Sequence, residues 1–316
     1  MTGNGPSRPQ ALVLTGAADT TLLARALPGW TVHRADSLDQ TAELPDPDAV
    51  RILVVRSGVP VGPAELDRLP GLTDIIRAGS GLDGLDLTVL AARRIRVHRN
   101  PAPAGAAVAE WALTAALSLG RRIPLGQAAL TTGLHLKAGC LTPPLSRARV
   151  AIWGAGTVGK ACARALAPHV GEILYAARPS IDPGLPQMPA DRLPAWADLH
   201  INALPHTTDT HHTFGRIFLD RARERHPLLI VAGRLDTVDL PACIEALDNG
   251  RLDGLAIDPI DHHHMTLLPR PGIPRNLLVT PHIGAQRTDV RAALDQWVAD
   301  LARTLSEAQD DGRRAA

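Results

Sequence analysis

The sequence predicts an α/β fold made of two doubly wound, parallel-sheet, Rossmann-like domains. Short apolar runs alternate with amphipathic helical stretches along most of the 316 residues. A proline-containing break at residues 100–103 divides this alternation into two series, and a glycine-rich turn opens the second. Because strands that alternate with helices form βαβ units, each series is expected to build a parallel sheet.

Apolar runs and helical periodicity place the elements of both series. In the first, strands are predicted at residues 11–16, 31–33, 51–56, 74–79 and 95–98, and helices at 21–27, 63–69 and 85–93. In the second, a long alanine-rich helix is predicted at 104–119, a connecting segment at 133–146, and strands at 150–153, 172–176, 199–204, 228–232, 255–258 and 277–280. A final amphipathic helix is predicted at 289–308, followed by a polar tail that is expected to fray.

The glycine-rich turn predicts a dinucleotide site. Gly154, Gly156 and Gly159 have the GxGxxG spacing, directly after an apolar strand and before a helical stretch. This spacing serves a tight turn, close approach of a pyrophosphate, and packing of the helix on the strand. Thr157 and Val158 then fall at a helix N-terminus, where free N–H groups and the helix dipole favour an anion.

Residues that follow the other strands of the second series are further candidates for binding. Ligands of open α/β sheets bind beyond the carboxyl ends of the strands. One polar residue after one strand is most often a surface residue, but several such strand ends in one chain favour a site. The residues expected to line the coenzyme site in this way are Pro205, Thr210, Ala232, Gly233, Asp258 and Gly284.

The type of coenzyme is predicted from the residues that end the second strand of this series. An acidic residue there binds the ribose 2′-hydroxyl of NAD, whereas an arginine accommodates the 2′-phosphate of NADP. Residues 175–180 contain no acidic residue and include Arg178 and Ser180. We therefore expect NADP(H) to be favoured over NAD(H), with Arg178, together with Ser180, on the phosphate.

Composition argues against several classes of partner. The formal net charge is only +1, and basic residues are dispersed, so no nucleic-acid partner is expected. The three cysteines are far apart and odd in number, which suits neither a disulfide framework nor a metal site and favours a cytoplasmic location. The N-terminus lacks the apolar core of a signal peptide, and no apolar run is judged long enough for a bilayer, so no membrane is expected.

Beyond these residue-level inferences, the chain resembles the D-isomer-specific 2-hydroxyacid dehydrogenase family. Its first third is most similar to the 3-phosphoglycerate dehydrogenases, here without a regulatory domain. The resemblance runs from about residue 51 to residue 293. It is carried by residues 55–58, 77–83, 108–110, 154–159, 204–210, 231–239, 254–258 and 280–285.

The resemblance implies a domain organisation. A substrate-binding domain would comprise residues 1–101 plus 284–316, and a dinucleotide-binding domain residues 102–283, with a cleft between them. Closure of that cleft would exclude water from the reaction. The helix region 104–122 would belong to a homodimer interface.

The resemblance also implies the catalytic residues. Arg234 matches the arginine that clamps the substrate carboxylate and polarises the adjacent carbonyl, which suits a permanently charged, bidentate guanidinium. His282 matches the general acid/base, whose near-neutral pKa lets it donate a proton to the carbonyl oxygen or accept one in reverse.

Substrate contacts are implied in the first series. The backbone N–H groups of Gly79, Ser80 and Gly81 would hold the carboxylate as a small anion nest. Arg56 and Arg77 match cationic contacts of the phosphoglycerate branch, so a second anionic group on the substrate is expected. The alternative is that these two arginines pair with aspartates at strand ends.

Two departures from the family pattern stand out. Where the family has a glutamate that hydrogen-bonds the catalytic histidine, this chain has His263, so either Asp261 replaces the glutamate or the pKa of His282 is lower. The run 262–264 is all histidine, but adjacent residues cannot easily point at one ion, and no metal site is expected. After Arg234 the family's usual glycine pair is absent, and Asp236 either pairs with Arg234 or faces solvent.

The implied activity is an NAD(P)-dependent oxidoreductase that transfers a hydride between the coenzyme and a small 2-hydroxy or 2-oxo acid. One alternative is a formate-dehydrogenase-like hydride transfer without a proton relay, because the family glutamate is missing. The other is a catalytically weakened, dinucleotide-binding regulatory protein, although the presence of both Arg234 and His282 argues against it.

Overall fold

The chain forms two α/β units, each with a parallel sheet. The computed structural model describes residues 8–178, 182, 184–260, 262–268 and 272–315, and of residues 262, 263 and 310–315 it describes the backbone alone. One unit consists of Met1–Ala104 and Thr288–Ala316, and the other of Gly105–Arg287.

In the first unit, the described residues form a five-stranded parallel sheet in the order β2-β1-β3-β4-β5. Its strands are β1 Gln10–Leu14, β2 Thr31–Ala35, β3 Val50–Val55, β4 Asp74–Arg77 and β5 Arg96–Arg99. Its labelled helices are α1 Thr20–Ala26, α2 Pro63–Asp67 and α3 Leu87–Ala92, and the C-terminal helix is Thr288–Ala315.

Local chemistry explains these elements. The α1 helix is capped by Asp19, whose carboxylate accepts hydrogen bonds from the N–H groups of Thr21 and Leu22 and so satisfies donors that the first turn leaves free. Strand β1 is buried along its whole length and pairs with β2 on one side and β3 on the other. The C-terminal helix completes this core by burying Val298, Ala302 and Leu305 against the sheet residues.

In the second unit, the described residues form a seven-stranded parallel sheet in the order β12-β11-β10-β9-β6-β7-β8. The strands are β6 Arg149–Trp153, β7 Glu172–Ala177, β8 Gln187–Pro189, β9 Leu199–Asn202, β10 Leu228–Val231, β11 Gly254–Ile257 and β12 Leu277–Val279. The helices are α4 Ala102–Gly120, α5 Ile123–Thr131, α6 Thr157–Leu166, α7 Leu193–Trp196, α8 Arg216–Ala222 and α9 Leu240–Asp248.

The order of the second sheet positions the candidate site. The chain starts at β6 in the middle, runs outward through β7 and β8, and returns to β9 on the other side of β6. Such a reversal leaves a crevice outside the carboxyl ends of the two central strands. Short 3-10 helices complete the described elements, at Leu38–Glu43, Pro47–Ala49, Ala138–Cys140, Leu145–Arg147, Ala167–His169, Thr208–Thr210, Leu235–Thr237 and His262–Leu267.

The structure differs from the sequence analysis in three elements. Helix α5 was not predicted, because Pro124 near its start resembles a break but is tolerated in a first helical turn. Strand β8 was also missed, since three residues are too few to show a period. The C-terminal helix continues to Ala315 instead of ending at residue 308, so the predicted fraying after 308 was wrong for its backbone.

The expectation about apolar runs also needs correction. By length and composition, α4 is apolar enough to cross a membrane, and it is the single such helix among the described residues. This is a weak indication, because the core helices of globular domains meet the same criterion. Four alanines and Leu119 of α4 are buried in the core beside β6 and β9, which accounts for its apolar composition.

Candidate active site

The glycine-rich turn joins β6 to α6, and two of its glycines are required by packing. Gly154 has a φ of +106°, and a Cβ there would lie 2.7 Å from the carbonyl oxygen of Ala203. A Cβ at Gly159 would overlap the carbonyl oxygen of Gly154. Helix and strand can therefore approach this closely only without side chains at both positions.

Gly156 lies in a different environment. A Cβ at this position would meet no atom within 4 Å, so packing within the protein does not require glycine here. It precedes the N-terminus of the ten-residue helix α6, whose first N–H groups have no intrahelical acceptor. Open space and free donors at one helix N-terminus fit a dinucleotide pyrophosphate.

A buried aromatic cluster lies behind the turn. The indole N–H of Trp153, the residue before Gly154, donates to Nδ1 of His200 on β9 at 3.1 Å. Phe214 and Phe218 contact the Trp153 ring edge-on at 5.2 and 6.0 Å between centroids. His200 is fully buried, and burial lowers its pKa from 6.5 to about 3, so it is a neutral hydrogen-bond acceptor at physiological pH.

The end of β7 carries the residue predicted to select the coenzyme. Arg178 directly follows Ala177, the last residue of the strand, and is exposed. It makes no hydrogen bond or ion pair within the part of the chain that the structure describes. Ser180, its predicted companion, lies outside the described residues.

The loop after β9 is closed by its own side chains. The Thr210 hydroxyl donates to the carbonyl oxygen of Pro205 at 2.6 Å and accepts from the N–H of Thr207 at 2.8 Å. These bonds fix a compact turn at the carboxyl end of the central strand. Thr210 therefore shapes the loop on which Pro205 stands.

The loop after β10 approaches the β9 loop closely. The N–H of Ala232 donates to the carbonyl oxygen of Asn202 at 2.9 Å. A Cβ on the buried Gly233 would lie 2.5 Å from the carbonyl oxygen of Leu204. Glycine at position 233 therefore lets the loop that carries Arg234 pack against the loop after β9.

The backbone of Arg234 is held by two buried residues that the sequence analysis did not identify. The Thr237 hydroxyl donates to the Arg234 carbonyl oxygen at 2.6 Å and accepts from Nδ2 of Asn202 at 2.7 Å. Both Thr237 and Asn202 are fully buried. A polar residue closing an apolar strand, as Asn202 does, was the available signal in the sequence.

Asp236, which replaces the family glycine, lies beside His206. The Asp236 carboxylate is 3.9 Å from Nδ1 of His206, and half of the Asp236 side chain is exposed. Its backbone oxygen accepts from the N–H of His212. Asp236 thus contacts the β9 loop and is largely exposed to solvent.

Asp258 organises the loop that carries His282. Its Oδ1 accepts from the Thr280 hydroxyl at 2.7 Å and from the N–H of Ile283 at 2.8 Å. Its Oδ2 accepts from the N–H of Gly284 at 2.8 Å, in space that a Cβ on Gly284 would fill. The Asp258 side chain is almost fully buried, so these donors replace the water that its charge would otherwise require.

His282 adopts an uncommon backbone conformation at this loop. Its φ is +58°, in the left-handed region that non-glycine residues rarely occupy. Its N–H donates to the backbone oxygen of Asp258 at 2.6 Å, and its side chain is half-buried. Asp258 thus fixes the position of His282 through backbone contacts.

Some predicted features fall outside the description. The backbone of His263 lies in the 3-10 helix His262–Leu267, but its side chain is not described, and neither is Asp261. The structure therefore gives no contact between His263 and His282. Within the described residues, no group of three or more His, Cys, Asp or Glu side chains could hold a metal ion.

The substrate residues predicted in the first unit lie after β3 and β4. Arg56 is exposed and makes no ion pair within the described ranges, whereas Arg77 is 4% exposed and donates to the carbonyl oxygen of Ala78 at 2.8 Å. The N–H of Gly79 donates to the carbonyl oxygen of Arg77 at 2.8 Å. The Gly79 N–H is therefore already used, and of the three donors predicted for the anion nest, those of Ser80 and Gly81 remain as candidates.

Comparison with known proteins gives a family match across the second unit. Residues 113–284, more than half of the chain, match the profile described as "D-isomer specific 2-hydroxyacid dehydrogenase, NAD binding domain". The D-3-phosphoglycerate dehydrogenase of Mycobacterium tuberculosis is 28% identical over 269 residues, which cover 83% of this chain and 50% of that protein. The chain thus spans about half the length of this relative.

Shorter relatives match over most of their length. The hydroxypyruvate reductase of Thermotoga maritima is 28% identical over 250 residues, covering 77% of this chain and 80% of that protein. Among solved structures, an NADPH-dependent glyoxylate/hydroxypyruvate reductase from Sinorhizobium meliloti, in complex with NADP and malonate, is 27% identical with a TM-score of 0.76. The similarity covers 93% of this chain and 92% of that one.

Proposed function

Because the chain belongs to the D-isomer specific 2-hydroxyacid dehydrogenase family, we propose that it is an NAD(P)-dependent reductase or dehydrogenase of small 2-oxo and 2-hydroxy acids. One observation carries this proposal. The glycine-rich turn, Arg234 and His282 all follow carboxyl ends of strands in one parallel sheet. Relatives named as glyoxylate and hydroxypyruvate reductases support the same substrate class.

The coenzyme would be held along the carboxyl edge of the second sheet. Open space at Gly156 and the N–H groups of Thr157 and Val158 would take the pyrophosphate. The loops after the neighbouring strands would contact the remainder of the coenzyme, through Pro205, Thr210, Ala232, Gly233, Asp258 and Gly284. When bound, the nicotinamide coenzyme supplies or accepts the hydride.

The chain's own residues would perform the acid–base work. The Arg234 guanidinium binds the substrate carboxylate and polarises the neighbouring carbonyl, as a fixed cation. His282 donates a proton to the carbonyl oxygen during reduction and accepts it from the hydroxyl in oxidation. In the sequence, His263 takes the position of the family's glutamate, and a histidine there supplies no fixed negative charge to His282.

Residues of the first unit are proposed as further substrate contacts, to the same carboxylate and to a second anionic group. The N–H groups of Ser80 and Gly81 are the donors proposed for the carboxylate, with Gly79 shaping the loop. Arg56 would bind a second anionic group, because it is exposed and has no counter-ion among the described residues. Buried Arg77 would act mainly by holding the loop, since it donates to Ala78.

A panel of 2-oxo acids with NADPH and NADH tests the proposal. We expect turnover of glyoxylate or hydroxypyruvate, a kcat lowered on the order of 100-fold or more in His282→Ala, and a large rise of KM in Arg234→Ala. Arg221→Gln, on the exposed face of α8, is the matched control. Tight coenzyme binding without turnover of any acid would contradict the proposal.

We also propose that NADP(H) is favoured over NAD(H). The exposed Arg178 at the end of β7 supports this, as does the NADPH dependence named for the relative from S. meliloti. Arg178→Asp should raise the KM for NADPH and lower that for NADH, because an acidic residue suits the free ribose. A native enzyme that prefers NADH would refute this part.

A homodimer is proposed from the exposed apolar residues that follow α4. Ile123, Leu130, Leu134 and Leu141 are 55, 65, 52 and 84% exposed. Several large apolar side chains exposed in one segment are typical of interaction surfaces. Sedimentation should give a dimer for the native protein and a monomer for the double variant Leu130→Asp, Leu141→Asp; a native monomer would exclude this proposal.

A further inference from the structure

A cavity lies at the amino-terminal ends of the strands of the seven-stranded sheet, away from the candidate active site. It has a volume of about 670 Å³, within the range of small-molecule sites. Its wall includes Ala148, Asp198 and Asp253, which directly precede β6, β9 and β11. The proposed catalytic residues follow the other ends of the strands, about 13 Å away for a four-residue strand.

The charges of the wall favour an anion. Three arginines and two aspartates line the cavity. Asp253 forms an ion pair with Nη2 of Arg122, and Asp198 lies 3.6 Å from Nη1 of Arg225. The third arginine, Arg147, is exposed and makes no ion pair or hydrogen bond through its side chain within the described residues. Each carboxylate is therefore compensated, and a guanidinium charge remains for a ligand.

One donor in the wall lacks an acceptor. Arg122 donates from Nη1 to the carbonyl oxygen of Gly139 at 2.7 Å, but its Nε is buried with no partner among the described residues. An unsatisfied buried donor costs about 1–3 kcal/mol. Its backbone is also left-handed, with φ 49°, as is that of His226 in the same wall, with φ 46°. Strain of this kind persists where surrounding contacts impose it, often at binding sites.

The rest of the wall is apolar and stiff. Pro143, Pro144, Leu145 and Leu228 line the cavity, and the two prolines fix their own φ angles. An occupant therefore needs an apolar body as well as an oxyanion. We propose that this cavity is a second ligand site, which binds a small organic carboxylate independently of the coenzyme and the 2-oxo acid.

The test uses 3-phenylpropionate as the probe and its uncharged amide as the control compound. Binding to the 316-residue chain is followed by calorimetry, with and without saturating NADPH. We expect saturable binding of the carboxylate alone, unchanged by NADPH. Arg147→Gln should weaken it about tenfold, Thr142→Trp should abolish it by filling the cavity, and Arg221→Gln should leave it unchanged.

The contrary outcomes are equally definite. No saturable binding, equal binding of acid and amide, or unchanged binding in both Arg147→Gln and Thr142→Trp would overturn the proposal. Displacement of the probe by NADPH or glyoxylate would place it in the catalytic site and overturn it too. Since Arg147 is exposed, its substitution tests the site even where Thr142→Trp fails to fold. The calorimetry does not depend on turnover. A protein that turns over no 2-oxo acid would therefore contradict the proposed function but not this second site.

Discussion

At the scale of single residues, two buried hydrogen bonds hold the backbone of Arg234, the arginine that we propose binds the substrate carboxylate. Asn202 donates a hydrogen bond to the Thr237 hydroxyl, which in turn donates to the Arg234 carbonyl oxygen, and both side chains are fully buried. A guanidinium that must meet a carboxylate bidentately tolerates little displacement, because misplacement of about 1 Å can cost on the order of 100-fold in rate. We therefore propose Thr237 and Asn202 as positioning residues for Arg234.

Thr237→Val tests that role. The substitution keeps the shape of the side chain but removes the hydroxyl, so Nδ2 of Asn202 loses its acceptor and the Arg234 carbonyl loses a donor. We expect a loss of about 1–3 kcal/mol of unfolding free energy and a fall in kcat/KM for 2-oxo acids on the order of tenfold. Thr237→Ser restores the hydroxyl and should restore kcat/KM; a Ser variant as impaired as Val would argue against positioning.

Candidate site residues could be named from the sequence, but the hydrogen bonds between distant side chains could not. Asp258 was named because it follows a strand, whereas the roles of Arg234 and His282 were implied by the family resemblance and stay predictions. The bond between Asn202 and Thr237 joins residues 35 positions apart, and depends on the register of β9 against β10, in which Asn202 is opposite Val231. Hydrophobic pattern alone does not fix that register. The pairing of His200 with Trp153 was missed for the same reason.

At the scale of elements, the β6–α6 turn separates two uses of glycine. Gly159 is needed for packing of helix on strand, whereas a side chain at Gly156 would meet only open space. The strand–turn–helix order was predictable from the sequence. Which glycine is needed for packing and which borders open space is seen only in the structure.

Gly156→Ala and Gly159→Ala form a matched pair of tests. Gly156→Ala should leave the melting temperature unchanged and weaken NADPH binding at least about tenfold, because the methyl group enters the space assigned to the pyrophosphate. Gly159→Ala should lower the unfolding free energy by about 1–3 kcal/mol through overlap with the Gly154 carbonyl. Thermal melts and coenzyme titrations measure both; equal coenzyme affinity in Gly156→Ala and the native protein would contradict the assignment.

At the scale of the whole molecule, buried His200 links stability to pH. Its pKa in the folded protein is about 3, lowered from 6.5 by burial, so below pH 6.5 the unfolded chain takes up a proton that the folded chain does not. The stabilisation is complete above pH 6.5 and is lost as pH falls toward 3. By pH 5 the loss amounts to about 2 kcal/mol.

Denaturant unfolding at pH 7 and pH 5 measures this effect. His200→Asn keeps an acceptor for the Trp153 indole but does not titrate in this range. The native protein should therefore lose about 2 kcal/mol more than His200→Asn between the two pH values. Equal losses in both proteins would show that His200 is not the group responsible.

The sequence predicted the fold class in full, since both parallel sheets follow from the alternation of strands and helices. It failed for short or proline-containing elements, namely β8 and α5, whose patterns are too weak to separate from loops. It also judged no apolar run long enough to span a membrane, although α4 is by length and composition. The structure accounts for the apolar composition of α4 by its burial in the core. The contribution of His263 stays a prediction, since its side chain is not described.

At the centre of the proposed function, this protein moves a hydride between a nicotinamide coenzyme and carbon 2 of a small acid. The most direct measurement incubates glyoxylate or hydroxypyruvate with NADPH carrying deuterium at the transferable position of the nicotinamide, and follows the product by mass spectrometry and NMR. We predict one deuterium on carbon 2 of the resulting 2-hydroxy acid. The double variant His282→Ala, Arg234→Ala should form no deuterated product. A 2-hydroxy acid without deuterium from either face of the labelled coenzyme, or no product at all, would contradict the account.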